Sequence, residues 1–74
     1  MDTPNKPNAT DEEIVAEMLV TGGSFAKQLA LLWRAADTSN QRVIADNWPG
    51  MFAEYGTAVH YKKLALEADR MGRN

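Results

Sequence analysis

The sequence predicts an all-α fold, a small bundle of three to four helices forming one domain. Three observations carry that expectation. Apolar residues recur at spacings of three and four along most of the chain, as they do on one face of a helix. Capping patterns stand where such runs begin, at Thr10-Asp11-Glu12-Glu13 and Thr38-Ser39-Asn40-Gln41. No alternating run of β-branched residues and no Asn-Gly or Asp-Gly turn marks a strand or a hairpin.

The first eight residues hold two prolines and two asparagines, which discourage a regular element, and residues 1–9 read as a flexible tail. Residues 10–72 read as a single helical domain and 73–74 as a frayed end. Thr10 can accept a hydrogen bond from the N–H of residue 13, while Glu13 reaches back to the N–H of residue 10. Asp11 and Glu12 add negative charge at the positive end of the helix dipole. Ile14, Val15, Met18 and Leu19 then share one face. Gly22-Gly23 ends this helix, since glycine takes a left-handed C-cap at little cost. A helix this short depends on packing.

Ser24 opens the second helix. Its stripe of Phe25, Leu29, Leu32, Trp33 and Ala36, widened by Ala26 and Ala30, marks it as the central element. Leu31 falls off the stripe, between Lys27 and Arg34. The third helix begins at Thr38 and buries Val43, Ile44 and Trp48. Pro49 disfavours helical geometry at Trp48, so the chain turns there, and Pro49 itself suits a first helical turn. Met51, Phe52 and Tyr55 form a one-sided turn that stops or bends at Gly56. Thr57 restarts the helix. Ala58, Tyr61, Leu64 or Ala65, Ala68 and Met71 then follow a stripe rotated away from that of Phe52, Tyr55 and Val59. Either Gly56 bends the helix so that both stripes meet one core, or the second stripe meets another molecule.

Size and charge narrow the function. At 74 residues and 8.2 kDa, folding hides about 60% of the chain's surface, enough for one small core and not for an enclosed catalytic chamber. With no cysteine, disulfides and thiolate zinc sites are excluded. The net charge of −2 is too little positive charge for a nonspecific duplex binder, and too little negative charge to imitate DNA. Residues 1–37 carry six acids against three bases, and residues 38–74 carry four acids against five bases. This mild asymmetry reads as a by-product of helix capping and solvation, with orientation of a partner as the alternative. The longest apolar run, Leu29 to Trp33, is far short of a membrane span, and the N-terminus lacks the order of a signal peptide. The chain is expected to be soluble and intracellular.

The search for chemistry returns little. His60 is the single histidine, so one chain cannot form a histidine-pair zinc site. Residues one turn away, Gly56 and Leu64, cannot orient or activate it. The carboxylates sit mainly at helix starts, where capping explains them, and Asp46 and Glu54 across the Trp48-Pro49 turn are a weak acid–base pair. Gly22-Gly23-Ser24 lacks the strand, the further glycines and the lysine of a phosphate loop. The expectation is no enzyme, no metal and no cofactor. A helix-turn-helix is the alternative, with Asn40, Gln41 and Arg42 at the start of its second helix, because such side chains read base edges. Arg42 is the one base between Arg34 and Lys62, however, and the turn has no glycine.

Protein binding is the preferred reading. Two tryptophans, two tyrosines, two phenylalanines and four methionines are many adaptable apolar groups for one small core, and such groups favour interfaces. The candidate partner-binding residues are Leu31 with Lys27 and Arg34, and the stripe of Tyr61, Leu64, Ala68 and Met71 rimmed by Lys63, Glu67 and Arg70. A helix-to-helix homodimer is the natural use of the stripe, since small chains gain stability by assembly.

Gly22-Gly23-Ser24-Phe25, followed by Ala26, Leu29, Ala30, Ala36-Asp37, Asn40, Trp48-Pro49 and Tyr55, resembles short open reading frames common in tailed bacteriophages and prophages. The resemblance covers residues 22–55. The aromatic before proline is often phenylalanine in that group, whereas here it is Trp48, and the helix after Gly56 lies outside the shared pattern. The group brings no assigned activity with it. The resemblance implies a phage context, in which small non-enzymatic proteins bind host or defence proteins stoichiometrically, anti-CRISPR inhibitors among them.

Overall fold

A computed structural model describes the backbone of residues 9–72 and the side chains through Asp69. Within them the fold is all-α, with four helices: α1 (Asp11–Thr21), α2 (Ser24–Ala35), α3 (Thr38–Asn47) and α4 (Pro49–Gly72). Residues 1–8 of the expected tail and the expected frayed end, 73–74, lie outside the described residues. Ala9, the last residue of that tail, packs half-buried against the core.

The central element is α1, not α2. Its capping box is formed as expected: Thr10 Oγ1 accepts from the Glu13 N–H at 3.2 Å, and the Thr10 N–H donates to Glu13 Oε1 at 2.9 Å. Packed against both α2 and α4, α1 supplies the two largest fully buried side chains of the fold, Met18 and Val15. Around them gather Ile14, Ala26, Leu29, Ala30, Trp33, Ile44 and Phe52. Eleven residues are too few for a stable isolated helix. Burial on two sides supplies what length does not.

Gly22 caps α1 as expected, its N–H donating to the Met18 carbonyl at 2.9 Å, but not in the expected left-handed conformation. Neither Gly22 nor Gly23 has positive φ; both are near −79° in extended geometry. The need for glycine at position 22 is steric. A methyl group there would stand 2.5 Å from the Met18 carbonyl oxygen, 2.7 Å from Ala26 Cβ and 3.2 Å from the Tyr55 hydroxyl. The bare backbone lets the chain reverse in two residues and brings the alanine side of α2 onto α1. That approach rotates the buried row of α2 to Ala26, Leu29, Ala30 and Trp33. Phe25 and Leu32, expected in the core, are left outside at 57% and 54% exposure.

Three further expectations shift. The third helix is capped one residue earlier than Thr38: Asp37 Oδ1 accepts from the Asn40 N–H at 2.9 Å. Of the expected buried side of α3, Ile44 is inside, whereas Val43 and Trp48 are exposed. The last helix is neither stopped at Gly56 nor restarted at Thr57. It runs unbroken over 24 residues, with Thr57 Oγ1 donating back to the Ala53 carbonyl at 2.9 Å. Gly56 is buried in the core-facing row of Phe52, Gly56 and Val59, so one row serves the core and the second stripe is left over.

Candidate interaction surface

Each helical residue advances about 100°, which places Leu31, Ala35, Gln28, Leu32 and Phe25 on one arc of roughly 120°. All five are exposed and none is charged. Trp48, at the C-cap of α3, extends this arc: its ring lies 6.0 Å from that of Phe25, tilted by 58°, a separation typical of favourable aromatic pairs. Lys27 and Arg34, also exposed, border the arc beside Leu31. Leu31 thus stands where the sequence places it. The structure adds Phe25, Leu32 and Trp48, which sequence reasoning assigned to the core. Contiguous apolar surface rimmed by polar or charged residues is the kind that marks interaction sites when it is large.

The second candidate surface lies on α4. Tyr61, Leu64, Glu67 and Ala68 are all exposed. Met71 is in the last turn of the helix, and its side chain, with that of Arg70, lies outside the described residues. Lys63 is half-buried and turns toward α1, where Nζ donates to Glu13 Oε1 at 2.9 Å. It belongs to the α1–α4 contact.

A buried carboxylate escaped the sequence reading. Glu17 is 8% exposed. Lys62 Nζ donates to its two oxygens at 2.8 and 2.9 Å, and Thr21 Oγ1 donates to Oε2 at 3.0 Å. The Lys62 hydrogen bonds hold Glu17 below the ordinary carboxylate range against the opposing effect of burial, and Thr21 assists. Glu13 is lowered mainly by the Thr10 backbone N–H, then by Lys63. Glu17 lies on the row of Ile14 and Thr21, so an acid on an apolar row was the available signal. Its partner, 45 residues away, leaves no trace in local spacing.

Among the helix-turn-helix candidates, Asn40 and Arg42 are exposed, while Gln41 is half-buried and donates from Nε2 to the Trp33 carbonyl at 3.1 Å. That bond ties α3 to the end of α2 and occupies the amide. His60 is half-buried, edge-on to Tyr61 at 5.7 Å, with Nδ1 buried and without a hydrogen-bond partner. Among the described residues no three of His, Cys, Asp or Glu come together to hold a metal ion. No described helix is long and apolar enough to cross a membrane.

Fold and surfaces together define a small all-α bundle whose distinguishing features are uncovered apolar faces. Compared with known proteins, the chain matches no family, no curated protein and no solved structure.

Proposed function

We propose that this chain is a small non-enzymatic protein-binding module that works stoichiometrically through the outer arc of α2. The observation that carries the reading is the cluster of Phe25, Leu31, Leu32 and Trp48, uncovered beside Lys27 and Arg34. Burying each of these side chains is worth about 1.5–3 kcal/mol, and the fold turns two of them outward to let α1 approach α2. Aromatic anchors beside cationic residues suit a protein partner with an apolar patch and an acidic border. The likeness of residues 22–55 to short phage reading frames supplies the context: a host or anti-phage defence protein in the bacterial cytoplasm, engaged in the manner of an anti-CRISPR inhibitor.

The test is capture from bacterial lysate with and without nuclease, using the wild type and a Phe25→Glu/Leu32→Glu double variant. Both substituted positions are exposed, so the variant keeps the fold, which circular dichroism checks. A nuclease-resistant protein partner retained by wild type and lost by the variant supports the reading. A signal that disappears with the nucleic acid overturns it in favour of a DNA-binding regulator using Asn40 and Arg42.

A further inference from the structure

We infer that the second half of α4 pairs antiparallel with the same segment of a second copy of this chain. The seam is Thr57, Tyr61, Leu64 and Ala68, with His60 of each chain against Glu67 of the other. This surface is separate from the α2 arc, so either reading can fail alone.

The spacing of four, three and four residues is the 3.5-residue repeat of a coiled-coil seam. The core-facing row of α4, Phe52, Gly56, Val59 and Lys63, has the same spacing. At about 100° per residue the two rows stand roughly 140° apart on the helix. All four seam residues are exposed, Tyr61 at 63% and Leu64 at 45%. One row holds the protomer together and the other faces away from it.

The seam closes on itself in only one sense. With a two-fold axis between Tyr61 and Leu64, Tyr61 of each copy meets Leu64 of the other and Thr57 meets Ala68. Bulky side chains meet at the centre and small ones at the ends. On one flank Ala58 and Ala65 allow the backbones to approach. On the other, His60 meets Glu67 of the second copy, twice by symmetry. A parallel pair would set His60 against Ala65 and Glu67 against Gly72, leaving both polar groups unmatched.

His60 is prepared for this contact. Its Nδ1 is buried without a partner, which leaves Nε2 as the ring nitrogen that can meet a carboxylate across the seam. The seam and its flanks involve far fewer residues than the roughly 20–30 a side of a standard interface. The dimer is therefore weak and depends on concentration.

The absence of cysteine from the chain makes single introduced thiols reporters of register. Full-length Thr57→Cys mixed with Ala68→Cys is expected to oxidise to a mixed cross-linked dimer. Ala68→Cys alone stays unlinked, because its two copies lie about 16 Å apart along the helices. Leu64→Asp, at an exposed position, leaves urea unfolding unchanged but weakens wild-type association about tenfold or more in sedimentation equilibrium. A wild type that stays monomeric at millimolar concentration overturns the proposal. So does a dimer indifferent to Leu64→Asp, or cross-linking of Ala68→Cys alone as ready as that of the mixture.

Discussion

Glu17 and Lys62 are unequal partners: the carboxylate side chain is 9% exposed and that of the lysine 59%. Removing the lysine strands a charge away from water, whereas removing the carboxylate leaves a lysine that can turn outward. Lys62→Met should therefore cost about 2–3 kcal/mol at neutral pH, the loss of a charge-assisted bond to a buried group. Glu17→Met should stay within about 1 kcal/mol, because an apolar side chain suits the site. Urea unfolding of the two variants checks the asymmetry, and equal costs would contradict it. The same contacts fix the response to acid. Glu13 and Glu17 are both held below the ordinary value of 4.5, so the native chain binds fewer protons than the unfolded chain as the pH falls. Their contribution is complete above that value and is lost as pH drops through the lower, folded values. Urea midpoints measured from neutral pH downward should show this acid limb, and Glu17→Gln should flatten it. Of these roles, only the Thr10–Glu13 box was legible in the sequence, because it closes within three residues. The pairing of Glu13 with Lys63 spans 50 residues and that of Glu17 with Lys62 spans 45, and only the packing of α1 on α4 brings them together.

Helix existence was readable from caps and spacing, but helix rotation was not. The expected stripe on α2 took the largest apolar side chains, Phe25 and Leu32, as the inward ones. The small residues decide instead: Ala26 and Ala30 are buried and let α1 come close, where Met18 and Val15 are fully covered. Gly22 is the hinge of this choice, and the two adjacent glycines should respond differently to substitution. Gly22→Ala forces its methyl against the Met18 carbonyl and Ala26, one backbone atom and one short side chain that cannot swing aside. A loss of about 1–3 kcal/mol is expected, the range of overpacking. A side chain at Gly23 meets nothing within 4 Å. As the N-cap of α2 it makes no side-chain cap bond, so Gly23→Ser should be neutral or stabilising by a few tenths of a kcal/mol. Thermal melts of the pair test the steric account directly. If Gly22→Ala melts with the wild type, the close approach is not what rotates α2.

A chain of 74 residues has a core too small to cover every apolar face its helices present. The sequence showed the surplus stripe on α4 and left open whether a bend at Gly56 would fold it inward. Exposure settles that: Phe52, Gly56 and Val59 face the core, and every described side chain after Lys63 is exposed. The surplus on α2 was not legible, because it depends on the rotation set at Gly22. Stability should accordingly be concentrated between Thr10 and Lys63. Shortening the chain to remove residues 67–74 leaves intact both lysines that grip α1 and every apolar residue found buried among those described. It removes helical turns that an isolated segment of that length would not hold by itself. At low micromolar concentration, where the self-paired form is dissociated, the shortened chain should unfold in urea within about 1 kcal/mol of wild type, as expected for loss of residues outside the core. Amide hydrogen exchange provides the second readout. Protection should be greatest in α1 around Val15 and Met18, persist in α4 to about Val59, and fall steeply beyond Lys63. Strong protection past Lys63 at that dilution, or a shortened chain that no longer folds, would mean that the end of α4 is held by contacts within the protomer and not by a second molecule.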